Sequence, residues 1–373
     1  MKRLLGVVVM LAFTALAMMA ALVIASWKLE ADSARLIYAE VARRPPHPFL
    51  QVLPGGQVGH VNAEGFRGDP VTVGKAPGTF RIFTLGGSTT LGVANPYEES
   101  YPFLLQGILR DRHPGRQIEV QNAASAWYTT AHNVVSYELR VRRFDPDLIV
   151  FYEAINDLVR SFAPPWFAHG DFQHDYSHYL GPYARLAGPD AEMGAPRSWL
   201  DGWFAWRTLT RRLQHQPSPF NQRDADNVAR LAAQMTQTDT PDFRSLASFQ
   251  EFYATLIRDV RADGRPIIVA SQPYLYSPTL PDAGRRLLYF APIFCAEHGT
   301  YPSMAAMIRG MDLFNGTARS VADAQHVPFV DLVSVVPKTA EYFSDDVHLR
   351  GSGNRIVATR LADTIDALGL LRR

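Results

Sequence analysis

The sequence predicts an α/β protein built on a parallel sheet covered on both faces, and three observations lead there. Short apolar, β-prone runs alternate with segments of helical apolar spacing. Runs such as Leu148-Ile149-Val150-Phe151-Tyr152 are apolar at every position, which suits a strand buried on both sides rather than one. Glycine, asparagine or aspartate follows the strand-like runs closely, as where a chain turns out of a sheet into a helix.

In order, Arg81 to Leu85 reads as a strand that stops at Gly86-Gly87-Ser88, and Tyr101 to Arg112 reads as a helix through Phe103, Leu104, Leu105, Ile108 and Leu109. Ile118 to Val120 is a strand, Ala131 to Arg143 a helix, and Leu148 to Tyr152 a strand introduced by Asp145-Pro146. A helix at Arg244 to Ala262, a strand at Pro266 to Ala270, a helix at Ser303 to Ala324, a strand at Val327 to Val330 and a closing helix at Gly351 to Leu368 complete the series. Residues at about 161–241 break the rhythm with Pro, Gly and aromatic residues and read as an aromatic-rich insertion over one sheet edge.

Ahead of the first strand lie two other regions. Leu4 to Ser26 carries no charge and, at 1.5 Å per residue, would cover ~30 Å of hydrocarbon, so residues 1–27 are expected to form an uncleaved transmembrane anchor. Lys2 and Arg3 would stay cytoplasmic with Trp27 and Lys28 at the far interface, which places a single-pass protein in the inner membrane and its catalytic mass outside the cytoplasm, in the periplasm. Residues 28–79, rich in Pro and Gly, read as irregular connector, and 80–373 as the folded domain.

Composition excludes several function classes. With 47% hydrophobic residues the 373-residue chain has material for a large core, and 37 basic against 36 acidic residues leave no charge excess to hold nucleic acid. One cysteine, Cys295, forms no internal disulfide and no Cys-rich zinc site; its apolar neighbours mark it as core.

Sites in open α/β sheets lie beyond the carboxyl ends of strands, and three such points carry suggestive residues. Gly86-Gly87 would let the backbone turn sharply enough to present Ser88 as a nucleophile beside the next helix. Asn156, in Ala154-Ile155-Asn156-Asp157, can aim an amide donor at a developing oxyanion. In Asp345-Asp346-Val347-His348, a carboxylate three residues before a histidine can curl back to orient its imidazole, with Asp346 left as a solvated or helix-capping carboxylate.

In content, order and spacing, Gly-Gly-Ser-Thr, Ala-Ile-Asn-Asp and Asp-Asp-Val-His-Leu together resemble the SGNH (GDSL-like) hydrolases over roughly residues 80 to 368. The resemblance implies a flavodoxin-like three-layer α/β/α sandwich and an esterase or acylhydrolase needing no cofactor and no metal. It also implies Ser88 as nucleophile, His348 as base, Asp345 as its orienter, and an oxyanion hole made by the Ser88 N–H and Asn156. Asn62 with Gly65-Phe66-Arg67 is similar to a segment of membrane-anchored bacterial relatives, with no role assigned.

The sequence departs from the family's pattern at two places. Asn122 is followed five residues later by Trp127 where the family has glycine, so Trp127 would supply the remaining backbone donor if its dihedrals do not need glycine, while its indole narrows the acyl pocket; Ala126 is the alternative in a shifted register. Ala154 stands where glycine is usual. The expected substrates are short O-acyl esters of cell-envelope carbohydrate. Lipid or lysophospholipid esters, O-acetyl transfer to polysaccharide and a non-catalytic envelope scaffold are the alternatives. His169, Asp171, His174, Asp175 and His178 read as polar loop surface rather than a zinc site, and Trp166, Phe167, Trp199, Trp203, Phe204 and Trp206 as the insertion's small core.

Overall fold

The computed structural model describes residues 60–162, 225–295 and 299–372, with a few scattered positions before residue 60. Five strands form its main sheet: β1 (Thr79–Gly86), β2 (Gln117–Asn122), β3 (Leu148–Tyr152), β4 (Ile267–Ala270) and β5 (Phe329–Val330). They lie in the order β2-β1-β3-β4-β5 and every pairing is parallel. This is the flavodoxin-like order, and its crossovers leave a crevice beyond the carboxyl ends of β1 and β3, where the winding reverses.

β3 shows why the sheet is buried on both faces. Ile149 and Phe151 enter one hydrophobic core while Leu148, Val150 and Tyr152 enter the other, and all five are inaccessible to solvent. The first core is closed by the helix pair Leu246–Ala262 and Met304–Ala324, with Tyr137, Val141 and Phe144 beside them. The second is closed by Tyr101–Arg112 and the closing helix Gly351–Ala367, which pack on each other. Helix, sheet, helix is the resulting order of layers.

Most expected elements are present within one or two residues, and Tyr101–Arg112 and Leu148–Tyr152 coincide with expectation. The helix expected at Ala131 to Arg143 is regular only over Thr130–Ser136, then widens to a π turn at Tyr137–Val141 and tightens to a 3-10 turn at Arg142–Phe144. Residues before β1 pack on the domain: Phe66 lies against Phe83 and Phe144, and Arg67 is buried. A parallel pair, Thr236–Thr238 with Thr300–Pro302, forms a small separate sheet that the sequence did not suggest.

Of Leu4 to Ser26 only Gly6, Met10, Phe13, Thr14, Ala17, Met18 and Ala21 are described, all helical and exposed; the rest of the expected anchor lies outside the described residues. Among the described residues no helix is long and apolar enough to cross a membrane. Most of the expected insertion, with its His/Asp cluster and its tryptophans, also lies outside them.

Candidate active site

The turn after β1 demands both of its glycines, for different reasons. Gly86 has φ 153°, and a Cβ there would sit 2.4 Å from Thr90 Oγ1 and 2.7 Å from Tyr152 O. Gly87 has an ordinary φ of −94° but no space, since a Cβ would lie 2.2 Å from Glu153 Oε2 and 2.3 Å from Asn156 Nδ2. Ser88 then opens the short helix Ser88–Leu91, 8% exposed and hard against the residues that follow β3.

Ser88 Oγ is 2.8 Å from His348 Nε2, and His348 Nδ1 lies 2.7 and 2.8 Å from the two Asp345 oxygens. An ionised carboxylate can only accept, so Nδ1 carries the proton and Nε2 is left to accept from the Ser88 hydroxyl. Asp345 Oδ1 also accepts from the N–H groups of Val347 and His348, which closes the tight turn that brings the pair together. Burial pushes the Asp345 carboxyl up, but the His348 imidazole, by charge and hydrogen bond, and these N–H donors outweigh it and hold the carboxyl below the usual carboxylate range.

Of the two readings of Asp346, solvated or helix-capping, the structure shows the second. Asp346 is buried and accepts from the Tyr276 hydroxyl at 2.8 Å and from the N–H groups of Tyr289 and Phe290 at 2.8 and 3.2 Å, so it caps the short helix Phe290–Phe294. Burial and the neighbouring Asp345 charge push it up to about 7 against those donors. The helix it holds faces the site: Phe290 meets the His348 ring at 6.1 Å, and Phe294 meets Trp127 edge-on at 4.9 Å.

Asn156 is buried beside the Ser88 turn at the start of helix Ile155–Arg160, and its Nδ2 donates to Tyr128 O at 2.8 Å. Trp127 has φ 64°, the left-handed region that favours glycine, so a bulky residue stands here in a glycine-like conformation. Arg160 Nη2 donates to Trp127 O at 3.3 Å and its Nη1 to Asn156 O at 2.6 Å, tying the two candidate oxyanion segments to one guanidinium. Ala126 is fully buried in a small cluster with Val61, Leu91 and Val93.

Three residues at the site escaped the sequence analysis, and a fourth, Arg67, was quoted there without a role. Glu153, fully buried, accepts from the Ala154 and Asn156 N–H groups and is pushed up to about 8 by burial and then by the Asp157 charge. Gln272, just past β4, accepts from Ile155 N at 2.8 Å and reaches Thr89 Oγ1 at 3.4 Å. Arg67 donates to the carbonyls of Leu91 and Gly92 and to that of Asn95, which end the Ser88 helix, while Asn95 Nδ2 donates to Leu349 O at 2.6 Å. The Asn62 to Arg67 segment thus acquires a role: Asn62 Oδ1 takes the Glu64 and Phe66 N–H groups in a turn, Phe66 plugs the core, and Arg67 clamps the end of the Ser88 helix. Only the quoted Gly-Phe-Arg signalled it.

Among the described residues no group of three or more His, Cys, Asp or Glu is arranged to hold a metal ion. Cys295 is buried, and burial pushes its thiol up to about 12, as for an inert core cysteine.

Residues 84–356, well over half of the chain, match the GDSL-like Lipase/Acylhydrolase family. The chain belongs to this family. Acylhydrolase chemistry is the activity that membership in the GDSL-like family supports, and Ser88, Asn156, Asp345 and His348 all lie in the matched span. Solved structures similar to this GDSL-like chain include an acetyl xylan esterase, 14% identical, with 77% of this chain and 100% of that one covered and a TM-score of 0.41. A GDSL-like lipase described from Parabacteroides merdae is 12% identical, with coverage of 78% and 96% and a TM-score of 0.43. An acetyl xylan esterase from Geobacillus stearothermophilus is 14% identical, with coverage of 77% and 94% and a TM-score of 0.42. No curated protein sequence matches the chain.

Proposed function

We propose that this protein is a serine esterase that removes short acyl groups, acetyl above all, from O-acylated carbohydrate of the cell envelope. What carries the reading is the buried line of hydrogen bonds from Ser88 Oγ to His348 Nε2 at 2.8 Å and from His348 Nδ1 to Asp345 at 2.7 Å. In the proposed reaction Ser88 Oγ attacks the ester carbonyl while its proton passes to His348 Nε2. Asp345 keeps the imidazole in the tautomer that can take that proton and offsets the charge of the imidazolium. The tetrahedral oxyanion is held by the N–H groups of Ser88 and Trp127 and by Asn156 Nδ2. His348 returns the proton to the departing alkoxide as the C–O bond breaks. Water, deprotonated by His348, then attacks the acyl-enzyme and restores Ser88.

The preference for short acyl groups is supported by the bulk of Trp127, which packs edge-on against Phe294 at 4.9 Å. The carbohydrate substrate follows from the proposed location: residues 1–27 anchor the protein in the inner membrane with the catalytic domain in the periplasm, where carbohydrate esters are the accessible polymer-bound acyl groups. Labelling with a fluorophosphonate probe tests the mechanism independently of substrate. Ser88 should be the only labelled residue, and Ser88→Ala should abolish both labelling and turnover of phenyl acetate. Equal labelling of the variant would dispose of the acyl-enzyme.

A further inference from the structure

The residues that hold Asn156 contain a conflict. An asparagine amide has two N–H hydrogens, and an oxyanion donor needs one of them available. In the resting site one is given to Tyr128 O at 2.8 Å, and the other side of Nδ2 faces Glu153 Oε2 at 3.4 Å, the long limit of a hydrogen bond. Glu153 Oε1 is engaged by the Ala154 and Asn156 backbone N–H groups at 3.0 and 3.1 Å, so the carboxylate is fixed in place. It is also pressed against the nucleophile turn, at the distance that excludes a Cβ from Gly87.

We propose that Glu153 is a positioning residue that works through Asn156: ionised, it holds the second Asn156 amide hydrogen, and on taking a proton from solvent it yields that hydrogen to the carbonyl oxygen of the bound ester. The protonated form is therefore the active one, because a neutral carboxyl competes weakly for an N–H donor, whereas a carboxylate is among the strongest acceptors available. The inference rests on the proposed acyl-enzyme reading and adds to it a requirement on the state of a residue that never touches the substrate.

The charged and titratable surroundings favour the neutral form. On Glu153's own segment, Asp157 repels its charge and Arg160 attracts it, with burial the larger effect; Tyr152 precedes it on β3. From helix Leu246–Ala262, Tyr253 brings a buried hydroxyl that finds no hydrogen-bond partner among the described residues, which offers the carboxylate no compensation. Across the Ser88 turn stand His348 and Asp345. Held up to about 8, Glu153 would be mostly protonated at neutral pH and would lose its proton in mildly alkaline solution.

The test is the pH profile of phenyl acetate hydrolysis, whose substrate does not titrate over the range. Wild type should show kcat/KM falling above pH about 8, approaching tenfold per pH unit, with the loss in kcat and KM little changed. Glu153→Gln keeps the size of the side chain and removes the charge, so its profile should stay level to pH 10 and exceed wild type by about tenfold or more at pH 9.5. Asn156→Ala, with no amide to withhold, should be slower throughout and equally level. A wild-type profile flat to pH 10 overturns the proposal, and so does an alkaline fall that persists in Glu153→Gln or in Asn156→Ala. If Glu153→Gln does not fold, as judged by circular dichroism, the wild-type and Asn156→Ala profiles decide alone. Activity retained by Ser88→Ala would sink the acyl-enzyme reading instead, whereas a dead Ser88→Ala with an alkaline fall indifferent to Glu153 removes this proposal only.

Discussion

The two halves of the dipeptide Asp345-Asp346 are adjacent in sequence, both buried, and shifted in opposite directions. Asp345 faces an imidazole and two N–H groups and is held below the usual carboxylate range; Asp346 faces a phenol, two N–H groups and the charge of Asp345, and is pushed up to about 7. Burial acts on both in the same direction, so the difference comes from their neighbours: the His348 imidazole lowers Asp345, and the Asp345 charge raises Asp346. The comparison teaches that a carboxylate's depth says little about its protonation, and that the imidazole singles out Asp345 for the proposed orienting role. It also separates two tasks of one loop: Asp345 hydrogen-bonds His348, and Asp346 holds the aromatic helix that borders it.

The comparison can be broken most severely by kinetics. Asp345→Asn should lower kcat by about 10⁴-fold with KM little changed, because its carboxylate matters most when His348 becomes imidazolium. Asp346→Asn should cost far less; the reverse order would mean that the loop is read the wrong way round. Next in size, Gly87→Ala should reduce kcat on the order of 10²-fold by driving Asn156 and Glu153 away from Ser88, with the fold retained in circular dichroism.

Thermal melts sharpen the contrast through its sign. Asp345 has a lowered folded value, so its contribution is present above its unfolded value of 3.8 and lost as pH falls through the folded one; the deficit of Asp345→Asn should shrink in acid. Asp346 has a raised folded value, so ionisation costs the wild type stability between about 3.8 and 7, and the deficit of Asp346→Asn should shrink as pH rises across that window. The slope cannot exceed about 1.4 kcal/mol per pH unit for one group. The smallest effect is expected from Trp127→Gly. Relief of the left-handed backbone, about 1–3 kcal/mol, offsets most of the lost contact with Phe294, so the melting temperature should move little while butyrate and hexanoate esters gain on acetate.

What the sequence revealed and what it hid follow from how each feature is encoded. β3 and helix Tyr101–Arg112 were legible because their apolar periods are local and uninterrupted. Ser88, Asn156, Asp345 and His348 were legible as a set because each follows a strand of the sheet or precedes the closing helix, and the structure brings Ser88, His348 and Asp345 into one hydrogen-bonded line. Glu153 was hidden because a lone acid after an apolar run looks like a surface turn, and only the packing of Gly87 and Tyr253 around it makes it buried. The role of Arg67 was hidden because its partners lie 24 to 28 residues away, at the end of a four-residue helix and in the turn after it. The π turn after Ser136 left no mark either, since Tyr137, Val141 and Phe144 keep the helical spacing of buried residues.

The bond between Ser88 and His348 spans 260 positions of the chain, whereas that between His348 and Asp345 spans three. The His348–Asp345 pair needs only its own turn, whereas Ser88 reaches His348, its proposed base, only across the whole fold, with the last helix packed on Tyr101–Arg112. Under the proposed mechanism a growing or half-folded chain would carry an ordinary, unreactive serine. Reactivity toward a phosphonate is then a clock for the final step of folding, and a probe added during refolding should label the protein no earlier than the closing helix becomes protected from hydrogen exchange.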